Sequence, residues 1–435
     1  MATNGPASAT ANVPTFHTIG IGAGPANLSL AALFGAAGPH RVGLFERQPY
    51  ASWHRGLLYS GVRMQTSWIK DLVSLVDPTH RLSFLNYLVS NGRAFAFLNA
   101  QHESIPRLEF VQYLAWASEQ IGDVHYGTAI DEVTFDNGFE VRSQGRVVGR
   151  ADNLVLGLGT EPFVPEGLSG VDDNRRIVVD DLIEWLEQPD GGPDDADRDA
   201  SIAVIGGGQT GAECAMELLH HGFRDVLWFG RRQWFAPLDD SPSANEFYRP
   251  AYAQFFQHLT KDTRRDMVDS QVLTSDGVSA ATLRALYQLN YEELLRTGRF
   301  PLTMLPGRDV TTVEPDSGGG VRLTCRSARG EETHVVRRMV CATGRRPSTL
   351  PFSPELLARI ELDDHGDLVV EDDFSVRWKG TGRHRIYAQN RARYTHGLTD
   401  ANLSLLPMRS AVIINSLFDR EIFHIRDEHL STVWG

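Results

Sequence analysis

The chain has 435 residues, of which 42% are hydrophobic and 22% charged, and its formal net charge is −13. This length predicts two or three domains, and the acidic balance excludes the basic footprint of a nucleic-acid-binding protein. No stretch is apolar enough to predict a membrane span, and residues 1–16 lack the features of a secretory signal, so we expect a disordered lead-in and a cytoplasmic protein.

The three cysteines, Cys214, Cys325 and Cys341, show neither CxxC nor metal-ligand spacing. We therefore expect reduced thiols and no bound metal. The acidic charge is compatible with a small cationic substrate.

Two strand–turn–helix units dominate the order of predicted elements. The first is the stretch 17–38 with the strand 41–47, and the second is the stretch 201–222 with the strand 225–232. Around them the patterns predict, in chain order, a helix at 107–121, antiparallel strands at 125–143, a buried strand at 152–160, an acidic surface loop at 187–200, a mostly helical region at 240–300, a buried strand at 337–346 and a helix at 403–418.

These elements predict an α/β protein with two Rossmann-like dinucleotide-binding domains and a small, mostly helical substrate region. We expect the first domain to occupy 17–165 and to be completed by 336–435, which also carries a substrate-side segment. The second domain then occupies 166–335, with the helical substrate region at about 240–300.

The first glycine-rich turn suits an adenosine ribose without a 2′-phosphate. Gly20, Gly22 and Gly24 precede the helix, Asn27 replaces the third glycine of GxGxxG, and Glu46 ends the next strand. A carboxylate at that strand end binds ribose hydroxyls, as in FAD or NAD.

The second turn is a full match to GxGxxG, formed by Gly206, Gly208 and Gly211, with Gln209 inside it. Its next strand ends in Arg231 and Arg232, and guanidinium groups there would bind a 2′-phosphate. We therefore predict FAD in the first turn and NADPH in the second. Such a flavoprotein is a reductase, a disulfide reductase or a monooxygenase, and the lack of a suitable cysteine pair disfavours the disulfide reductase.

The remaining motifs resemble the N-hydroxylating flavin monooxygenases of siderophore synthesis, the family of lysine, ornithine and diamine N-hydroxylases. The resemblance covers residue 17 to the C-terminus and rests on GAGPANLS (22–29), SWH (52–54), MQTSWIKDLVSLVDPTHRLSFLNYL (64–88), IPRLEFVQYLAWA (105–117), GGGQTGAE (206–213), LDDSPSANEFYRP (238–250), TSDGVSA (274–280), CATG (341–344) and THGLTDANLSLLPMRS (395–410). Two features depart from the family pattern. Arg345 stands where the family's ATGY motif has tyrosine, and the acidic insert at 189–199 is unusually long.

The resemblance implies that NADPH reduces FAD, that O2 forms a C4a-hydroperoxyflavin, and that a neutral terminal amine is hydroxylated. It also implies roles for particular residues. Gln65 and Ser404 are the expected catalytic residues beside the flavin, and Lys70, Asn245 and Asn290 are expected to bind substrate. Cofactor contacts are expected from Trp53, His54 and Arg107; for His54 we expect a hydrogen-bonded structural role before a catalytic one.

The sequence leaves the amine open. We expect a small aliphatic diamine, putrescine or cadaverine, with L-lysine or L-ornithine as the alternative, because Lys70 suits a substrate carboxylate and disfavours a diamine unless it is paired. The rival functions are an NADPH-dependent flavin reductase or oxidase and another oxygen insertion, such as sulfoxidation or Baeyer–Villiger chemistry; the FxGxxxHxxxW-like stretch typical of the latter is absent from the sequence. The family resemblance also suggests a homo-oligomer, a tetramer or a dimer.

Overall fold

A computed structural model describes residues 13–102, 104–189, 191–380 and 382–435. The predicted lead-in lies mostly outside these residues, and the first strand begins at Thr15, inside the segment assigned to it. The strands are β1 (Thr15–Ile21), β2 (Val42–Phe45), β3 (Arg63–Ser67), β4 (Ser104–Pro106), β5 (Val124–His125), β6 (Glu132–Phe135), β7 (Phe139–Ser143), β8 (Arg146–Leu156), β9 (Thr160–Pro162), β10 (Arg176–Val178), β11 (Ile202–Ile205), β12 (Val226–Gly230), β13 (Leu302–Pro306), β14 (Asp309–Pro315), β15 (Val321–Ser327), β16 (Gly330–Val336), β17 (Arg338–Cys341), β18 (Arg345–Pro347) and β19 (Ile386–Ala388).

The helices follow the same order along the chain. They are α1 (Pro25–Phe34), α2 (Phe84–Ser90), α3 (Ala94–Asn99), α4 (Arg107–Ile121), α5 (Leu182–Glu187), α6 (Asp195–Asp199), α7 (Gln209–His220), α8 (Pro242–Asn245), α9 (Pro250–Gln257), α10 (Lys261–Ser270), α11 (Leu273–Asp276), α12 (Ala280–Thr297), α13 (Pro354–Leu357), α14 (Arg393–His396) and α15 (Leu406–Leu417). None of these helices has both the length and the apolar character needed to cross a membrane, as far as the described residues extend.

The first sheet has the strand order β5-β2-β1-β8-β7-β6, and β19 also pairs with β8. Strand β1 is parallel to β2 and β8, whereas β6, β7 and β8 form the antiparallel extension that the alternating pattern predicts. The central strands are apolar on both faces because helices cover them, as is usual for parallel sheets. Helix α15 packs closely against α1, so the C-terminal part of the chain completes this first unit.

The second sheet is parallel throughout, in the order β10-β17-β11-β12-β13. Strand β17 pairs with both β10 and β11, which corrects the predicted boundary at residue 336. The apolar run of β17 was assigned to the first domain, yet its register places Val340 opposite both Ile177 and Val204, inside the second sheet. An antiparallel sheet, β14-β15-β16, lies beside it. Strand β9, which follows β8 of the first sheet, pairs with β18, which follows β17 of the second, and this two-stranded ribbon joins the carboxyl ends of the two larger sheets.

The acidic stretch at 187–200 is not a solvated loop throughout. Residues Asp195–Asp199 form α6, which Asp194 caps with a side-chain hydrogen bond from the Asp197 N–H. Asp197 is buried and pairs with Arg337 and Arg338 at the start of β17. The charge of Asp197 thus has an internal partner that its local sequence does not reveal, because Arg338 is distant along the chain.

The second glycine turn depends on a close helix–strand contact. A Cβ atom on Gly211 would lie 2.0 Å from the Gly206 carbonyl oxygen and 2.9 Å from Trp228 Nε1. The Trp228 indole N–H donates to that same carbonyl over 2.7 Å. Gly211 therefore lets α7 approach β12 and leaves the carbonyl free to accept this bond.

Replacing Gly211 by alanine should destabilise the second unit, because the added methyl group must displace the Gly206 carbonyl or the indole. We expect Gly211→Ala to lower the free energy of unfolding by about 1–3 kcal/mol in urea titrations, the usual cost of overpacking. Gly208→Ala is the matched control, since its Cβ would meet only an oxygen 3.8 Å away. Equal stabilities for the two variants would contradict the close-contact role of Gly211.

Candidate functional site

A single cleft of about 2090 Å³ runs between the two Rossmann-like units, and both glycine turns line it. Of the predicted site residues it brings together Gly22, Gly24, Glu46, Trp53, His54, Gln65, Arg107, Gly206, Gly208, Gln209, Arg231 and Arg232. Continuity of one cleft from the first turn to the second allows two bound dinucleotides to meet inside it.

The first turn forms a backbone cradle for a pyrophosphate. Gly22 has φ +94° and its Cβ would lie 2.3 Å from the Gly157 oxygen, so only glycine fits there. Helix α1 begins with Gly24 as N-cap, without a side-chain cap or an acidic residue in the first turn, which leaves its N–H groups available for an anion. Glu46 accepts from the Ala23 N–H (2.8 Å) and the Gln48 N–H (2.9 Å), so its carboxylate also fixes the turn.

The second turn has the same backbone construction, and two arginine side chains lie beside it. Gly206 has φ +141° and its Cβ would lie 2.0 Å from the Ala342 oxygen. Gly208 caps α7, again without a side-chain cap. Arg231 and Arg232 follow β12, are exposed, and line the cleft. These residues fit a dinucleotide that carries an additional phosphate.

Gln209 has a positioning role in this arrangement. Its Oε1 accepts from the Ser279 N–H over 2.8 Å, and its Nε2 donates to Glu213 and to Thr282. Gln209 thereby ties the beginning of α7 to the beginning of α12, where Ser279 is the N-cap residue.

Arg107 connects the two units at the middle of the cleft. Its Nη1 donates to the Leu57 carbonyl oxygen, and its guanidinium pairs with Glu213 of α7 at 3.3 Å. Both side chains are mostly buried, at 14% and 6% exposure. Arg107 thus joins α4 of the first unit to α7 of the second while lining the cleft.

His54 lies in the same part of the cleft with unusual backbone and electrostatics. Its φ of +49° is in the left-handed region, which non-glycine residues seldom adopt. Burial, together with the charges of Arg345 and then Arg107, lowers the pKa of His54 to about 4. The imidazole is therefore neutral at physiological pH and available as a hydrogen-bonding group.

Three predicted cofactor residues lie beneath the turns instead of in the cleft lining. Gly20 and Gly211 are buried and permit close packing. Asn27 is fully buried; its Nδ2 donates to the Gly22 carbonyl oxygen (2.8 Å), and its Oδ1 accepts from Gln389. Asn27 therefore supports the first turn from below, and its direct cofactor contact stays a prediction.

Asn290 and Asn245, predicted at the substrate, are also outside the cleft lining. Asn290 is buried and bonded at 3.0 Å to both the N–H and the carbonyl of Leu302, so it links α12 to β13. Asn290 thus has a structural role in this part of the chain, and its substrate contact stays a prediction. Asn245 is exposed and donates to the Asp240 carbonyl oxygen.

Lys70 and Ser404 are likewise absent from the cleft lining. Ser404 is buried directly after Leu403, a lining residue. Lys70 follows β3, which carries Gln65; burial lowers the pKa of its ammonium, and it forms no ion pair with any described residue.

The cleft also contains charged residues that the motifs did not predict. Asp180 and Asp400 line it, and Asp400 pairs with Arg409, a fully buried residue of α15. Arg345 lines it as well and pairs with Asp180 at 2.7 Å. Only the departure from ATGY pointed to Arg345, and nothing in the local sequence pointed to its partner.

The family model for L-lysine 6-monooxygenase/L-ornithine 5-monooxygenase matches residues 14–347. The chain belongs to this lysine/ornithine monooxygenase family. An L-lysine N6-monooxygenase from Escherichia coli is 34% identical over 418 residues, covering 94% of this chain and 95% of that protein. A putrescine N-hydroxylase from Acinetobacter baumannii is 28% identical over 94% of this chain and 91% of its own length.

Solved structures of the family share the fold. The FAD-bound cadaverine monooxygenase of the desferrioxamine pathway from Erwinia amylovora has a TM-score of 0.88 at 24% identity, covering 98% of this chain and 99% of that one. The ornithine N-hydroxylase from Kutzneria sp. 744, with reduced FAD, NADP+ and L-ornithine, has a TM-score of 0.83 at 28% identity, with 93% and 99% covered.

Family membership confirms the predicted resemblance and the α/β fold with two Rossmann-like units. It also confirms the predicted enzyme class, because the lysine/ornithine monooxygenases are NADPH-dependent flavin enzymes that hydroxylate nitrogen. A plain reductase or oxidase is thereby disfavoured.

Arg231 should control the preference for NADPH over NADH. If Arg231 binds the 2′-phosphate as predicted, its removal should lower kcat/KM for NADPH about 10–100-fold and leave that for NADH, which lacks this phosphate, nearly unchanged. The measurement is kcat/KM of Arg231→Ala with each nucleotide. Arg47→Ala is the control, because Arg47 lines the cleft beside the first turn; an equal loss with NADH would contradict the assignment.

His54 should make the protein less stable in acid. Its folded pKa of about 4 lies below the usual value near ~6.5, so the unfolded chain binds more protons between these pH values and stability falls as pH falls. His54→Asn should remove about 2 kcal/mol of the stability difference between pH 7 and pH 5, measured by urea unfolding of the FAD-loaded protein.

The control for this measurement is His429→Gln, because His429 is an exposed residue of the C-terminal tail. This variant should keep the wild-type dependence of stability on pH. An unchanged dependence in His54→Asn would show that the His54 imidazole is not the responsible group.

Proposed function

We propose that this chain N-hydroxylates the terminal primary amine of a small aliphatic molecule, using FAD in the first turn, NADPH in the second, and O2. The product is a hydroxylamine of the kind that hydroxamate siderophores require. The single observation that carries the proposal is the continuous cleft lined by both glycine turns, because it lets a nicotinamide and a flavin ring meet. The overall reaction consumes amine, O2, NADPH and a proton and yields hydroxylamine, water and NADP+.

The first turn and the N-terminus of α1 would hold the FAD pyrophosphate, and the Glu46 carboxylate would accept hydrogen bonds from the adenosine ribose. In the second turn, Gly206, Gly208 and the N-terminus of α7 would hold the NADPH pyrophosphate, while Arg231 and Arg232 would bind its 2′-phosphate. The bound flavin supplies the redox and oxygen chemistry. The protein itself has to orient the amine, exclude water and stabilise the neutral amine.

Gln65 and His54 are suited to that task because both line the cleft between the two turns. A neutral imidazole adds hydrogen-bonding capacity there without adding a charge that would repel an ammonium. A free alkyl ammonium has a pKa of about 10.4, and desolvation in a closed cleft favours its neutral, nucleophilic form.

The state of Lys70 supports an amino acid as the substrate. Its ammonium is half buried and has no carboxylate partner among the described residues. Lys70 lies outside the cleft lining but follows β3, which carries the lining residue Gln65, and we propose that it receives the carboxylate of an incoming amino acid from there. A diamine brings a second positive charge and would be repelled. We therefore place L-lysine before the diamines, which reverses the order expected from the sequence and is in line with the 34% identity to a lysine enzyme. A homo-oligomeric assembly remains part of the proposal.

The test of this function is the yield of hydroxylamine per NADPH consumed, with L-lysine, L-ornithine, cadaverine and putrescine. We expect tight coupling with L-lysine and mostly peroxide with the diamines. Tight coupling with a diamine would support the N-hydroxylase function but would make that diamine, instead of L-lysine, the substrate. Peroxide alone with every amine would overturn the function in favour of an NADPH oxidase.

Lys70→Met should separate amino acids from diamines, because it removes the charge and keeps a similar apolar stem. Loss of the carboxylate contact should raise the KM for L-lysine about 10–100-fold, whereas cadaverine, which is lysine without its carboxylate, should bind as well or better. Lys379→Met, which removes an exposed lysine, should change neither constant. An equal change for both substrates would contradict the carboxylate role.

A further inference from the structure

Arg345 begins the strand β18, at the point where the chain leaves the second sheet. It follows Gly344, whose φ of +97° belongs to the left-handed region that glycine favours. Strand β18 pairs antiparallel with β9, which itself continues from the exit of the first sheet. Arg345 therefore belongs to a two-stranded ribbon whose strands directly follow β8 of the first sheet and β17 of the second. Among the described strands, no other ribbon pairs segments that leave the two larger sheets.

The guanidinium of Arg345 uses its donors on two separate segments. Its Nε donates to Thr160 Oγ1 and its Nη2 to the Thr160 carbonyl oxygen, both over 2.9 Å. Its Nη1 donates to Asp180 Oδ1 over 2.7 Å. Every nitrogen of the group thus has a protein partner. This pattern is typical of a residue that fixes geometry, and it argues against a residue that waits for a cofactor phosphate.

The Asp180 partner is packed tightly against the first unit. Asp180 lies in the turn 179–181, and a Cβ on Gly56 would overlap the Asp180 carbonyl group. The turn therefore touches the segment 55–57, which directly follows His54. A displacement of Asp180 must be transmitted to this segment, because the contact leaves no free space.

We propose that Arg345 is a positioning residue that holds the turn 179–181 against the β9–β18 ribbon and thereby fixes the separation of the nicotinamide and flavin sites. A tyrosine at this position, as in the resembled family, has one hydroxyl and can engage only one of these acceptors. The inference depends on the proposed function only in requiring a dinucleotide in each turn.

The adjacent residue supplies a matched control. Arg346 lies on the same ribbon, pairs with Glu161 at 2.8 Å, is 61% exposed and does not line the cleft. Arg345→Met and Arg346→Met each remove one arginine and one ion pair from β18. Only the first removes a link to the turn 179–181.

The experiment uses the FAD-loaded protein and three readouts that involve no amine. They are hydrogen–deuterium exchange of the turn 179–181, the Kd for NADP+ from flavin fluorescence, and the rate of anaerobic flavin reduction by NADPH. For Arg345→Met we expect exchange in the turn to accelerate about tenfold and the Kd to rise about tenfold, as for loss of the one charge-assisted hydrogen bond that Arg345 donates to this turn. Anaerobic reduction of the flavin by NADPH should be slower, with an unchanged FAD content. Arg346→Met should match wild type in all three readouts.

Asp180→Asn tests the same link from the other side and does not require that Arg345→Met folds. It should reproduce the effects of Arg345→Met, and the double variant should be no worse than either single one. Arg345→Lys should fall between wild type and Arg345→Met, because one ammonium keeps the ion pair but cannot reach both oxygens of Thr160.

The proposal is overturned if Arg345→Met behaves like Arg346→Met, or if the effects of the two single variants multiply in the double variant. If the three effects on exchange, Kd and flavin reduction are observed but the enzyme forms no hydroxylamine, only the N-hydroxylase function is refuted.

Discussion

The arrangement of the whole molecule depends on two places where a glycine backbone lies against the residue that directly follows the carboxyl end of a neighbouring strand. Gly22 faces the carbonyl oxygen of Gly157, and Gly206 faces that of Ala342, in each case too closely for a side chain. Because the turn must be this tight, the following helix starts directly above the carboxyl edge of its sheet. Both helix N-termini thereby open into the same cleft, where an anionic pyrophosphate is stabilised by free N–H groups.

Charge pairs then contribute to how the two units face each other. Arg107 bonds to Glu213 across the middle of the cleft, and Arg345 bonds to Asp180 near His54. The apolar cores of the two sheets are separate clusters, although Leu57 and Tyr59 of the first unit pack into the second cluster, so these polar contacts act beside an apolar contact between the units. Such polar contacts are directional, and they specify a relative position more sharply than apolar contact alone.

The sequence allowed prediction of those features whose cause is local. Glycine spacing, helix caps and strand-end charge all act within one strand–turn–helix unit, and the fold class followed from them. Residues with distant partners were mispredicted or missed. Asn290 has an ordinary helical context, and only its bonds to Leu302 reveal a structural role. The register of β17, the burial of Asp197 and the partner of Arg345 depend in the same way on contacts between segments far apart along the chain.

The bond between Asn27 and Gln389 has a consequence for the biosynthesis of the protein. The support beneath the first turn comes from a residue 362 positions further along the chain, and β19, which begins at Ile386, adds the last strand to β8. A nascent chain still attached to the ribosome can form β1, α1 and β2 early, but it lacks these two elements until synthesis is almost complete. The flavin site of this enzyme is therefore assembled late, after the second unit has already emerged and had time to fold.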